Sequence, residues 1–227
     1  MEKIAAILVA AHLVGDFLLQ PDGLVRRKTR FRYLLLHSAI HAALVYGALQ
    51  AWKCWQAPFL VLAIHTAIDR IKQGRKDTVI AFVVDQATHV VSLLALAWWM
   101  VHYAVLPGYT GIGYKPLVAL GGLVATVQGS GFLVGKFARR LIEENQLKLD
   151  GLLNGGRLIG QLERALIFLF IFTGQAAGIG FLVAAKSILR FEEAKKQQLA
   201  EYVLIGTLLS FSLAIALTTA TRWAMEL

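Results

Sequence analysis

Long apolar runs, broken by short basic and turn-forming clusters, divide this chain into helices. Stretches of about 17–25 apolar residues cross a bilayer as α-helices, and such stretches recur along the whole length. The pattern predicts segments at about 4–20, 33–50, 57–72, 78–104, 117–136 and 201–222. The run 158–191, "LIGQLERALIFLFIFTGQAAGIGFLVAAKSILRF", is too long for one span and carries "TGQAAG" in its middle. It reads as a helical hairpin, which supplies two further segments. Between the segments lie the basic linker "GLVRRKTRFR", the short linker "QGRKD" and the turn region "PGYTGIGYKP". The connector at 138–157, with "RRLIEENQLKLD", reads as an interfacial helix. The expectation is an all-α polytopic transmembrane helix bundle of about eight membrane segments, or seven if 158–191 is a single span. Residues 1–105 form its first half and 106–227 its second, within one integral unit.

Composition supports a membrane setting. The chain is 57% hydrophobic and only 16% charged, against about a quarter charged in soluble domains. Its 20 glycines suit close helix packing in lipid. The net charge of +9 fits positive-inside loops and anionic headgroups better than nucleic acid. Cys54, beside Trp52 and Trp55, has no partner for an internal disulfide and reads as an interfacial residue. The first apolar run reads as a retained span. It has only Lys3 as a basic leader, and cleavage after it would strand His12 and Asp16.

Loop charge orients the bundle. With the N-terminus outside and 158–191 as a hairpin, eighteen Lys and Arg residues fall in the inside loops and four outside. Treating 158–191 as one span gives fourteen against eight. The hairpin arrangement fits better and puts both termini on the extracytoplasmic side of a bacterial inner membrane.

The chemistry lies in a repeated pair. Segment 1 carries His12 and Asp16, segment 2 His37 and His41, segment 3 His65 and Asp69, and segment 4 Asp85 and His89. Every pair is spaced i, i+4, so both side chains share one helix face about 6 Å apart. Chance placement of the His and Asp residues gives roughly 0.6 such pairs in the chain; four occur, one per consecutive segment. Counted from the basic ends, the pairs lie about one to three turns in. Antiparallel neighbours would therefore bring eight ligand-type side chains to one level in the cytoplasmic half.

An unpaired Asp inside a membrane costs on the order of 2.5–3.5 kcal/mol, so three cost roughly 8–10 kcal/mol. A divalent cation offsets that directly, because ionised Asp and neutral His are its ligands. Five imidazoles and three carboxylates could hold two ions; zinc suits the donor set first, with iron or manganese as alternatives. Asp16 or Asp85, if not fully engaged by metal, could serve as general base. Interhelical hydrogen bonding and axial haem ligation are the competing readings. His102, beyond the tryptophans, reads as interfacial.

In the second half, Glu163, Arg164, Lys186 and Arg190 gather at the same basic face in the hairpin arrangement. They read either as a clamp for a phosphate or lipid headgroup or, with more weight, as snorkelling side chains and local ion pairs such as Glu163 with Lys186. The "GSG" after Gln128 marks a close helix contact.

These motifs resemble a known family. "AHLVGDFLLQ", "LLHSAIHA", "HTAIDRIK", "DQATH", "LIGQLERALI", "AAKSILRF" and "EYVLIGTLLS" look like the bacterial multi-pass membrane family called domain of unknown function 3307. The His-x-x-x-Asp element is also similar to that of the LexA-regulated, membrane-bound metal-dependent hydrolases, a likeness that implies a hydrolase. The resulting expectation is a membrane-embedded, divalent-metal-dependent hydrolase acting on an amphipathic ester at the cytoplasmic leaflet. Phospholipid or isoprenoid phosphate is the first substrate class. A metal-ion transporter or sensor using the same ligands, and a haem-binding redox protein, are the alternatives.

Overall fold

The computed structural model describes residues 1–147, 154–189 and 197–227. Among the described residues there are ten α-helices, one π-helical turn and no strand. The chain divides into two compact units, Met1–Val124 with Trp223–Leu227, and Ala125–Arg222.

The first unit contains α1 (Glu2–Phe17), α2 (Asp22–Arg27), α3 (Phe31–Leu49), α4 (Gln56–Lys72), α5 (Val79–His102) and α6 (Tyr114–Val124). Local chemistry sets the boundaries. α1 stops before Gln20–Pro21, where the proline disfavours helical backbone in the residue before it. α3 ends at Gln50 in the left-handed region, φ 52°. Pro58 sits in the first turn of α4, where its missing N–H costs nothing. Thr78 caps α5 by accepting from the Ala81 backbone N–H at 3.1 Å.

α1 is the central helix, packed against α3, α5 and α6, while α4 bridges α3 and α5. The contact with α6 is a backbone approach: a Cβ on Gly121 would lie 2.7 Å from Ala10 Cα. Along its length the unit has two zones. Ile4, Ile7 and Leu8 of α1 join Val45, Ala57, Leu96 and Met100 in a dry apolar core. The His and Asp pairs occupy the other zone, toward the basic loops. Cys54 is buried in the apolar core, whereas Trp52 and Trp55 are exposed. The cysteine is thus a small core residue and not an interfacial one.

The second unit opens on a π-helical turn, Ala125–Gly129, that leads into α7 (Ser130–Asn145). The helix therefore continues well into the stretch expected to be a separate connector. The hairpin expected at 158–191 forms: α8 (Gly155–Phe172) turns at Gly174, φ +73°, into α9 (Ala177–Leu189). The last helix is α10 (Gln197–Glu226).

Eight apolar segments fold as helices, but they are not eight candidate spans. Among the described residues, three helices are long and apolar enough to cross a bilayer: Val79–His102, Tyr114–Asn145 and Gln197–Glu226. The shortfall has a physical cause. α1 has 16 residues, about 24 Å of helix against a hydrocarbon core of about 30 Å. α3 and α4 pair modest length with His, Asp and terminal basic residues. α8 contains Arg157, Glu163 and Arg164. The side chains that make the first unit chemically distinctive are the ones that lower its hydropathy. α5 presents Ile80, Val91 and Trp98 outward, a face suited to lipid.

Candidate metal centre

The i, i+4 spacing does what helical geometry requires. α1, α3, α4 and α5 each turn one pair inward, and the four pairs meet. His12, His37, His41, His65 and His89 are all at most 3% exposed, and the carboxylates of Asp69 and Asp85 are nearly as buried. The rings touch: His41 stacks on His65 with centroids 3.8 Å apart, and His12 on His89 at 4.9 Å.

Two groups of potential ligands emerge. In the first, one donor atom each from Asp16, His37, His41 and His65 lie within 4.8 Å of one another. Asp16 Oδ1 is 3.2 Å from both His37 Nε2 and His41 Nε2, and His37 Nε2 is 3.0 Å from His65 Nε2. For a tetrahedral ion with bonds of about 2.0–2.1 Å, ligand atoms sit ~3.3 Å apart. The observed spacings are of that size. The second group is His65, Asp69 and His89, in which Asp69 lies 3.8 Å from His65 Nε2 and 3.9 Å from His89 Nε2. His65 belongs to both.

Two of the eight expected ligands stand outside these groups. His12 Nε2 is 3.6 Å from Asp16 Oδ2 and faces the cluster from α1. Asp85 pairs its Oδ2 with Lys72 at 2.6 Å, and its Oδ1 is 3.8 Å from His89 Nδ1. Its position beside the groups, and outside them, separates it from Asp16, which lies in the first.

Unmet hydrogen-bonding capacity makes several of these atoms available to an ion. His12 Nε2, His41 Nε2, His89 Nε2, His37 Nδ1 and Asp85 Oδ1 are buried without a hydrogen-bond partner. His41 Nε2 approaches Asp16 Oδ1 but not in hydrogen-bonding geometry. Such orphans ordinarily cost about 1–3 kcal/mol each. His89 is the clearest case. Its Nδ1 is 3.0 Å from the Asp85 backbone oxygen. A carbonyl can only accept, so Nδ1 carries the proton and Nε2 presents its lone pair to the cluster. Metal-binding histidines are held in this way, by a second hydrogen bond that sets tautomer and aim.

Several supporting residues escaped sequence reasoning. Gln86 donates to Asp16 Oδ2 at 2.9 Å. Gly15 makes room for the His41 ring, since a Cβ there would lie 2.4 Å from its Cε1. Lys28 donates to Asp69 Oδ2 at 2.8 Å, and Lys72 reaches Asp85. The two lysines balance two of the three carboxylates, a charge partner that the insertion-cost argument had assigned to metal alone. Lys28 was legible only as one charge in a basic linker. A small cleft is lined both by His12, His41, His65 and His89 of the cluster and by apolar residues such as Val45, Val61, Leu93 and Leu96.

The basic group of the second unit is of another kind. Glu163 and Lys186 form a buried ion pair at 2.7 Å. Arg164 donates Nε and Nη2 to the Val127 carbonyl at 3.1 and 2.8 Å, and Nη1 to Ser210 Oγ at 3.1 Å. Val127 lies in the π-helical turn, where the regular hydrogen-bond ladder is interrupted. Gly131 and Gly160 leave space for the guanidinium, each with a hypothetical Cβ within 2.8 Å of it. The "GSG" stretch is thus a close contact made around an arginine. These bonds commit Arg164 to the protein itself. Arg190 lies outside the described residues.

Residues 4–107 match the family model described as Protein of unknown function (DUF3307), the family that the motifs resemble. The match spans α1 to α5 and contains all eight paired residues; the second-half motifs lie beyond it. Neither the curated proteins nor the solved structures include a match to the chain.

Proposed function

We propose that the first unit is a membrane-embedded divalent-metal centre that hydrolyses an amphipathic phosphoester at the cytoplasmic leaflet of a bacterial inner membrane. The observation that carries this reading is the set of buried, unpartnered donor atoms on four helices, spaced as ligands of one or two ions. Zinc fits the nitrogen-rich donor set best. In this reading the short helices α1, α3 and α4 sit in the bilayer with the three longer ones. The eight segments place both termini outside, following the basic loops.

A bound ion supplies a water of lowered pKa and neutralises phosphoryl oxygens. The chain does the rest. Asp16, His37 and His41 would hold the first ion and Asp69 and His89 the second, with the single Nε2 lone pair of His65 serving one position or the other. Asp85 is the general base of choice over Asp16. Its Oδ1 accepts no hydrogen bond and its Oδ2 is anchored by Lys72, so it can accept a proton without leaving a ligand position. The apolar residues of α1, α3, α4 and α5 that pack together in the first unit favour hydrolysis at one face over transport across. The 3.0 Å between His37 and His65 Nε2 leaves no room for a porphyrin between them.

The test is metal analysis of the detergent-purified protein together with hydrolysis of phosphatidic acid and an isoprenyl phosphate. Asp85→Asn should keep the metal and lose about 10²-fold or more in rate. His65→Ala should lose metal and activity together. A metal-free protein after incubation with zinc, iron or manganese would sink the centre. A loaded protein that moves metal across vesicles and hydrolyses neither substrate would make it a transporter.

A further inference from the structure

The anion-holding groups of this centre were expected in the second unit. The geometry points to Lys28 and Lys72 instead: we propose that they form a phosphoryl-anion site at the mouth of the His/Asp cluster, and that this anion and a second divalent ion bind together. The inference rests on the metal-centre reading above.

Asp69 is the pivot. Its Oδ2 accepts from Lys28 and is 3.8 Å from both His37 Nε2 and His65 Nε2, while its Oδ1 is 3.9 Å from His89 Nε2. One carboxylate therefore serves either an ammonium or a second ion held with His89 while His65 Nε2 serves the first. The first ion does not meet this competition, because Asp16 is paired with imidazoles and Gln86 and touches neither lysine.

Charge decides the coupling. With neutral imidazoles, three carboxylates and two ammoniums leave one net negative charge. A first divalent ion brings the cluster to plus one, and a second to plus three. Such a charge in a buried site is costly unless an anion enters with it. A phosphoryl group meets this need. Its oxygens replace Asp69 as the partner of Lys28 and join Lys72, and Asp69 closes on the second ion. Lys28 is anchored in the loop after α2, and its side chain is 18% exposed. Lys72 ends α4 and is 44% exposed. Both are reachable from the basic loops. Lysine suits this exchange, since its ammonium is a point charge on a flexible stem with no fixed fork to satisfy.

The experiment is a Co(II) titration of the full chain in detergent, with and without inorganic phosphate, followed by visible absorption and metal counting after desalting. Nanodiscs containing phosphatidic acid or only phosphatidylcholine form a parallel arm. Expected is one tight equivalent without phosphate and a second whose affinity rises about ten-fold or more with it, within the usual range for coupled sites. Lys28→Met and Lys28→Gln should each keep the first equivalent and abolish the phosphate dependence; retention of the first equivalent also reports that they fold. Enhancement by both phosphate and phosphatidic acid identifies a free phosphoryl group as sufficient. Enhancement by phosphatidic acid alone identifies the lipid headgroup as the ligand. A tight first equivalent with no anion effect in any arm, or an effect unchanged in both Lys28 variants, overturns this inference and leaves the metal centre standing. No cobalt bound in any arm overturns both.

Discussion

The two units each bury a cluster of charged and polar side chains in an apolar helical setting, and they resolve it differently. In the second unit the account closes internally. Arg164 is bonded to Val127 and Ser210, and Glu163 to Lys186. In the first unit the helices bring five imidazoles and three carboxylates together and leave donor atoms of His12, His37, His41, His89 and Asp85 unmet. A buried polar group that finds its partner in the chain stabilises the fold. A converging set that does not is shaped for something outside the chain. Abundance of charge alone separates neither case; satisfaction of each atom does.

The sharpest way to break the comparison is His65→Ala against Arg164→Met. His65 serves both ligand groups, so its loss should remove all bound metal; Arg164→Met should leave metal content at the wild-type level. Equal metal loss in both would dissolve the distinction. Stability should run the other way. Arg164→Met strands the Val127 carbonyl and should cost about 2–3 kcal/mol in thermal or denaturant unfolding, with or without chelator.

Metal removal gives the next largest contrast. Chelation should lower the unfolding free energy of the wild type by the linkage term, about 2.7 kcal/mol at a hundredfold excess of ion over its dissociation constant, and its unfolding temperature with it. The His65→Ala variant should not respond. Because imidazole must be neutral to bind, this stabilisation is present at high pH and lost as pH falls and the ligating imidazoles take up protons. A metal-dependent shift that does not weaken at all as the pH is lowered would contradict histidine ligation.

The paired glycines test the supporting shells. Gly15→Ala drives a methyl into the His41 ring and should weaken metal binding about 10–100-fold, as loss of ligand orientation does. Gly131→Ala crowds the Arg164 guanidinium and should lower stability with metal affinity unchanged. The smallest effect belongs to His102→Ala. His102 stacks on Trp98 outside the cluster, ring centroids 4.7 Å apart, and the change should leave metal content unaltered.

Much of this was legible in the chain. The four i, i+4 pairs named the cluster, because helical periodicity alone puts such residues on one face and short loops make consecutive helices antiparallel. The hairpin at 158–191 was legible from its length and the Thr-Gly-Gln break. The span count was not. Apolar segments were counted as crossings, whereas helix length and the pairs' own polarity leave three of the described helices that meet the requirement. Arg164 was legible as a charge in an apolar run, but its partner is a main-chain oxygen of a π-helical turn, a feature of backbone hydrogen bonding that no residue type announces.

The order of residues by itself determined the all-helical architecture, the face that each His/Asp pair occupies and the basic end toward which they lie, since these depend on local periodicity and on charges a few turns apart. Only the tertiary structure decided that His65 is shared between two ligand groups and that Asp85 stands beside them. It also decided that Lys28, 41 residues away in sequence, holds Asp69. Such relations depend on distances of 3–4 Å between side chains on different helices, which packing fixes and spacing along the chain does not.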